Sequence, residues 1–182
     1  MTGPTLVVAA IRAEAAHVPH GTPVVVTGIG KVAAAVAVTR ALATWPGDRM
    51  PRVVNIGTAG ALAEHHDGLY RPSVVLNHDI SADAIRELGA EVTDAIELPG
   101  GDGSVLATGD LFVTDPTTRD QLATRADLVD MEGFAVAAAC AAFDVECVLI
   151  KHVSDTADES ALSWNEQVDR SARRLAAWLG RM

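Results

Sequence analysis

Cysteine is scarce in this chain. Of 182 residues only Cys140 and Cys147 carry a thiol. One falls in an alanine-rich helical pattern and the other in an apolar strand pattern. Both read as small buried side chains, a usage that suits a reducing cytoplasm. Cations are also few: 14 Lys and Arg stand against 24 Asp and Glu, a formal net charge of -10. That balance excludes a nucleic-acid partner, because phosphate binding needs clustered Lys and Arg. No lysine run suits an anionic membrane surface, and no apolar stretch is long enough to span a bilayer. The N-terminal M-T-G-P-T-L-V-V-A-A-I has no basic region and too short an apolar run for a signal peptide. Repeats, linkers and low-complexity tracts are missing too, so one domain over residues 1–182 is expected. Its length and its 49% hydrophobic content allow a real core.

What is present is an alternation of short apolar runs and helical patterns. Strands are expected over 5–11, 23–27, 52–56, 73–77, 105–108, 128–130 and 145–153. Helices are expected over 31–45, 116–124 with Asp115 as cap, 132–143 and 163–179. Most of the strand runs are continuously apolar. The fold class this predicts is α/β, a single three-layer domain with a largely parallel or mixed central sheet flanked by helices. Little can be read from 81–103 beyond the loop at Pro99-Gly100-Gly101-Asp102-Gly103.

The stretch V-L-I-K-H-V-S-D-T-A-D-E at 148–159 begins as a buried strand and breaks into polar residues. In α/β proteins chemistry collects where strands end. Asp155 therefore stands as a working carboxylate or as the cap of the next helix. Gly28-Ile29-Gly30-Lys31-Val32-Ala33 has the outline of a dinucleotide fingerprint. Asp48, however, lies before a strand rather than at a strand end, which favours a plain strand-to-helix turn. Gly57-Thr58-Ala59-Gly60 reads as a turn, either plain or able to hold an anion or a polarised water. Glu132 reads as macrodipole compensation at a helix start or as a functional carboxylate. His65 and His66 lack a third ligand, so no metal is expected.

Seven segments, taken together, resemble the nucleoside phosphorylase/nucleosidase superfamily, with 5'-methylthioadenosine/S-adenosylhomocysteine nucleosidases as the best match. They are A-A-I-R-A-E at 9–14, T-G-I-G-K-V at 27–32, N-I-G-T-A-G at 55–60, H-D at 78–79, G-D-L-F-V at 109–113, D-M-E-G at 130–133 and S-D-T-A-D at 154–158. The resemblance implies a role for each matching position. Asp155 is the general acid at purine N7, oriented by Ser154, and Glu14 activates the attacking water. Glu132 holds the ribose hydroxyls with Met131 packed on the sugar. Phe112 stacks on the purine and the backbone of Val113 reads its edge. Thr58 and Gly60 border the water, and Trp164 lines the 5' substituent. It also implies a homodimer and no cofactor. Relative to the family, the chain is short between His78-Asp79 and Gly109-Asp110.

The chemistry agrees with these roles. Breaking an N-glycosidic bond gives an oxocarbenium-like sugar. The departing purine must be protonated, and burial is what raises a carboxyl's pKa enough to do it. A second carboxylate is expected to stay ionised. Asn55 stands where phosphate-using relatives place Arg, so water is the expected nucleophile. The rivals are a phosphate-dependent purine nucleoside phosphorylase, a futalosine-type hydrolase and a non-catalytic purine-binding protein. The small-molecule partner in each case is a nucleoside.

Overall fold

The computed structural model describes residues 3–158, 161 and 164–181, the side chains of 164–166 excepted. The apolar runs become strands β1 (Thr5–Ala9), β2 (Val24–Val26), β3 (Arg52–Ala61), β4 (Leu69–Tyr70), β5 (Val74–Asn77), β6 (Ala95–Glu97), β7 (Val105–Thr108), β8 (Leu128–Asp130) and β9 (Cys147–Asp155). Among the described residues all nine join one sheet, in the order β2-β1-β3-β8-β7-β5-β6, with β9 paired to β3 and β4 paired to β9. The β1–β2, β1–β3, β3–β9, β5–β7 and β7–β8 pairs are parallel. The β3–β8, β4–β9 and β5–β6 pairs are antiparallel.

Helices α1 (Lys31–Ala43), α2 (Ala82–Glu87), α3 (Pro116–Leu122), α4 (Gly133–Ala142) and α5 (Trp164–Leu179) complete the described elements. Side chains alternate across a strand, and here both faces are covered. Val53 of β3 with Cys147 and Leu149 of β9 pack under α1 and α4. Val54 and Ile56 with Val148 and Ile150 pack on the other face, against Leu175 and Trp178 of α5. The result is the expected three-layer α/β architecture. Helix α4 is apolar nearly all round because it is wedged between α1 and the sheet. Asp115 caps α3 as expected, accepting from the Thr118 amide at 2.9 Å. No helix of the described residues is long and apolar enough to cross a membrane.

Two readings need correction. Gly57-Thr58-Ala59-Gly60 is not a turn. It is the second half of a ten-residue strand, β3, because β9 pairs alongside it from Val53↔Cys147 to Gly60↔Asp155. Nor does Asp155 cap a helix. It is the last residue of β9, and its Oδ1 accepts from the nearby Ala157 amide. The β3–β9 register slips between Ala59 and Gly60, leaving Ser154 as the extra residue of a bulge. A bulge re-aims the side chains that follow it, and here it turns the Ser154-Asp155 pair.

Candidate active site

Strands β1, β7, β8 and β9 all lead into one cavity of about 380 Å³, which the end of β3 also lines. That volume is within the usual range for small-molecule sites, about 300–1,000 Å³. Glu14, Thr58, Gly60, Phe112, Val113, Met131, Glu132, Ser154 and Asp155 all line it, so residues from five separate segments converge as expected. The side chain of Trp164, also expected here, lies outside the described residues.

Glu14 reaches the cavity because the chain folds back after β1. Its Oε2 accepts from the amides of Ala10 (3.1 Å) and Ile11 (3.3 Å). Its Oε1 accepts from the Thr58 amide (2.9 Å) and hydroxyl (3.0 Å) on β3. The carboxylate is only 3% exposed and is fixed by four donors. Asp155 is held in a different way. Its Oδ2 accepts from the Ser154 hydroxyl at 2.7 Å and its Oδ1 from the Ala157 amide at 2.9 Å. Gly60 lies against it, and a Cβ there would sit 3.0 Å from Asp155 Oδ1 and 3.0 Å from Ala157 Cβ. Only glycine allows β3 to approach the carboxylate so closely.

Glu132 stands at the N-cap position of α4, but its side chain does not cap the helix. Asp130 does so instead, accepting from the Gly133 amide at 2.9 Å, while the Thr108 hydroxyl accepts from Phe134 N at 3.0 Å. The Oε1 of Glu132 accepts from the Gly30 amide at 2.8 Å, across 102 residues of sequence. Burial, then the neighbouring charge of Asp130, pushes its pKa up from 4.5 to about 7. A carboxylate expected to stay ionised thus titrates near neutrality, because its side chain is buried and lies beside a second carboxylate, Asp130.

The glycine turn at 28–30 works through backbone amides. Gly30 N serves Glu132, and Lys31 N donates to Asp110 Oδ1 at 2.8 Å. Gly30 has φ 95°, and a Cβ on it would crowd Asp110 Oδ1. The Lys31 ammonium pairs with Asp79 and donates to Asn77 Oδ1 at 2.9 Å, while Asp110 N donates to Asp79 Oδ2 at 2.9 Å. The His78-Asp79 motif is therefore a tether for the loop that carries Leu111, Phe112 and Val113 to the cavity wall. Phe112 lines the cavity and is 47% exposed, whereas Val113 is buried.

Sequence reasoning missed Lys151 and Asp130. The Lys151 ammonium is buried behind Glu14 and Glu132. It is 2.8 Å from Asp130 Oδ2 and donates to Asn55 Oδ1 at 2.8 Å. Burial opposes its charge, but Asp130 and Glu132 outweigh burial and hold its pKa above the ordinary value. A lysine inside V-L-I-K-H-V was the available signal, since a fully buried lysine requires a partner. Asn55 itself does not face the cavity. It is 1% exposed and donates to Val8 O at 3.1 Å. The lack of arginine at that position therefore says little about the nucleophile. The lining residues say more: among those described, none is Lys or Arg.

Comparison with known proteins gives the family and the fold. The Phosphorylase superfamily pattern matches residues 103–182. A 5'-methylthioadenosine/S-adenosylhomocysteine nucleosidase of Shewanella sediminis is 32% identical over 86% of this chain and 79% of its own. An aminodeoxyfutalosine nucleosidase of Helicobacter pylori is 38% identical over a shorter stretch, 43% of this chain and 35% of that one. In fold, a Helicobacter pylori mutant enzyme crystallised with 5'-methylthioadenosine in its active site superposes with a TM-score of 0.85 at 24% identity, covering 100% of this chain and 98% of that one. On the extent of these matches, the chain belongs to the 5'-methylthioadenosine/S-adenosylhomocysteine nucleosidase family of the phosphorylase superfamily.

Proposed function

We propose that this protein is a purine nucleosidase. It hydrolyses the N-glycosidic bond of an adenine nucleoside of the 5'-methylthioadenosine/S-adenosylhomocysteine type, with water as nucleophile and no metal or cofactor. One observation carries the reading. Three buried or half-buried carboxyl groups, Glu14, Glu132 and Asp155, share one nucleoside-sized cavity with Phe112 and Met131.

The purine stacks on Phe112 and is read at its edge by the backbone of Val113. Asp155, oriented by the Ser154 hydroxyl, gives its proton to N7 as the C1'–N9 bond breaks. The bonding electrons leave with the base and the sugar becomes oxocarbenium-like. Glu132 accepts hydrogen bonds from the ribose hydroxyls, which favour its ionised form, and Met131 packs on the sugar. Water attacks C1' and passes a proton to Glu14. Exchange with solvent then returns a proton to Asp155 and removes one from Glu14. Phosphate in place of water would need cations around it, and the described lining residues include none.

The compartment we propose is the cytoplasm, where the free thiols of Cys140 and Cys147 stay reduced. We further propose a homodimer. Ile29, Val32 and Val36 form an apolar stripe on and before α1, exposed at 56%, 74% and 56%. It continues into Leu111 and Phe112 at the cavity mouth. The resemblance implies a dimer, and a second copy is the occupant that would cover this stripe.

The test is a panel of nucleosides with and without phosphate, the released base identified by chromatography. The expected result is free adenine from 5'-methylthioadenosine or S-adenosylhomocysteine at a rate independent of phosphate. The match to an aminodeoxyfutalosine nucleosidase puts aminodeoxyfutalosine in the panel as well. Asp155→Asn should keep the fold and abolish base release. Turnover that requires phosphate would make it a phosphorylase, and binding without release would make it a purine-binding protein.

A further inference from the structure

A second cavity, of about 170 Å³, opens on the α5 side of the sheet. It is too small for a nucleoside. Asp67, Gly68 and Leu69 form one wall, Arg170 and Arg174 of α5 another, and His152 of β9 the floor. The two arginines are four residues apart and so project from one helix face. Neither takes an ion pair among the described residues, whereas Arg173 between them is paired with Asp169 at 3.0 Å. His152 is 6% exposed and comes from the face of β9 opposite Lys151. Its Nδ1 shares a 3.0 Å hydrogen bond with the buried Ser171 hydroxyl, which fixes the ring. The backbone of Val153 also bears on the ring.

We propose that this cleft is an oxyanion site, accepting a phosphate or carboxylate group between Arg170, Arg174 and His152. Two guanidinium groups on one side of a small cleft match the geometry of such oxyanions. The imidazole completes the set by donating from Nε2. Burial and then the charge of Arg170 lower the His152 pKa, while Asp67 opposes them. An anion in the cleft offsets the arginines and favours the imidazolium. For a carboxylate, whose own charge is constant over this range, binding therefore takes up a proton and tightens as pH falls. Asp67 cancels one guanidinium charge and leaves the cleft positive overall. The site is separate from the nucleoside cavity and does not depend on the activity proposed above.

Calorimetric titration of the whole protein with inorganic phosphate, at constant ionic strength and at pH 6 and pH 8, tests the proposal. Phosphate should bind and raise the melting temperature, and acetate, a monoanion at both pH values, should bind more tightly at pH 6 wherever it binds. The double variant R170Q/R174Q, altered at two exposed positions, should weaken phosphate at least tenfold and leave nucleosidase turnover unchanged. D67N should tighten phosphate several-fold, a change of sign that damage to the fold cannot produce. Acetate run in parallel identifies the group. Acetate that binds with the same sensitivity to R170Q/R174Q supports the site as a carboxylate site, and acetate that stays silent while phosphate binds supports a phosphate site. Absence of binding by both anions to the wild-type protein, or phosphate affinity in R170Q/R174Q within twofold of wild type, overturns the proposal.

Discussion

Lys151→Met should be the most damaging single change in this protein that leaves its shape nearly constant. The ammonium is 1% exposed and lies 2.8 Å from both Asp130 Oδ2 and Asn55 Oδ1. Glu132 and Glu14 also bear on its charge. Methionine fills similar space but leaves three acids gathered in a buried region with no cation. Removing one partner of a buried pair costs about 3–5 kcal/mol, because the other charge stays buried and uncompensated. For a chain of this size each kcal/mol lowers Tm by about 2–4 °C, so a fall of about 6–20 °C is expected. Thermal melts followed by circular dichroism at neutral pH would measure it. Asp130→Asn in the same chain removes the strongest uncompensated charge, so the double variant should recover part of the loss. A fall in stability below about 1 kcal/mol, or a double variant no more stable than the single, would refute the reasoning.

Four further outcomes are expected. If the ionised form of Glu132 binds ribose, kcat/KM should fall about tenfold between pH 8 and pH 6 as its carboxyl, with pKa about 7, takes up a proton; a flat profile over that range contradicts the assignment. The same raised pKa favours the folded state below pH 4.5 and loses that contribution as pH climbs through 7. Glu132→Gln should therefore be more stable than wild type above pH 7, by up to about 3 kcal/mol, with no gain near pH 4.5. Gly60→Ala pushes on Asp155 and Ala157 at 3.0 Å, and should lower kcat by about 10- to 100-fold through misplacement of the acid; unchanged kcat would mean that Asp155 is not held by this contact. Val32→Glu, at a side chain 74% exposed, should convert the proposed dimer to a species of 19.0 kDa in sedimentation; a wild-type protein already at that mass removes the dimer.

Much of this protein was readable from the residues alone. Continuous apolar runs placed β7 at Val105–Thr108 and β8 at Leu128–Asp130, and Asp115 before Pro116 marked the start of α3. These are local signals: burial period, turn chemistry and capping act over a few residues. The family resemblance carried by the short motifs around Glu14, Glu132 and Asp155 pointed to three acids that the fold brings to one cavity. What tertiary structure alone decided is who neighbours whom. Gly57 to Gly60 looks like a turn until β9 lies beside it and makes it strand. The slip at Ala59/Gly60 that turns Ser154 and Asp155 depends on that same pairing. Glu132 finds the Gly30 amide, and Lys151 finds Asp130, Asn55 and Glu14, only after distant segments have packed. A charge in an apolar run announces that it needs a partner, but burial and proximity, set by the whole fold, choose that partner and so set the pKa near 7 at Glu132.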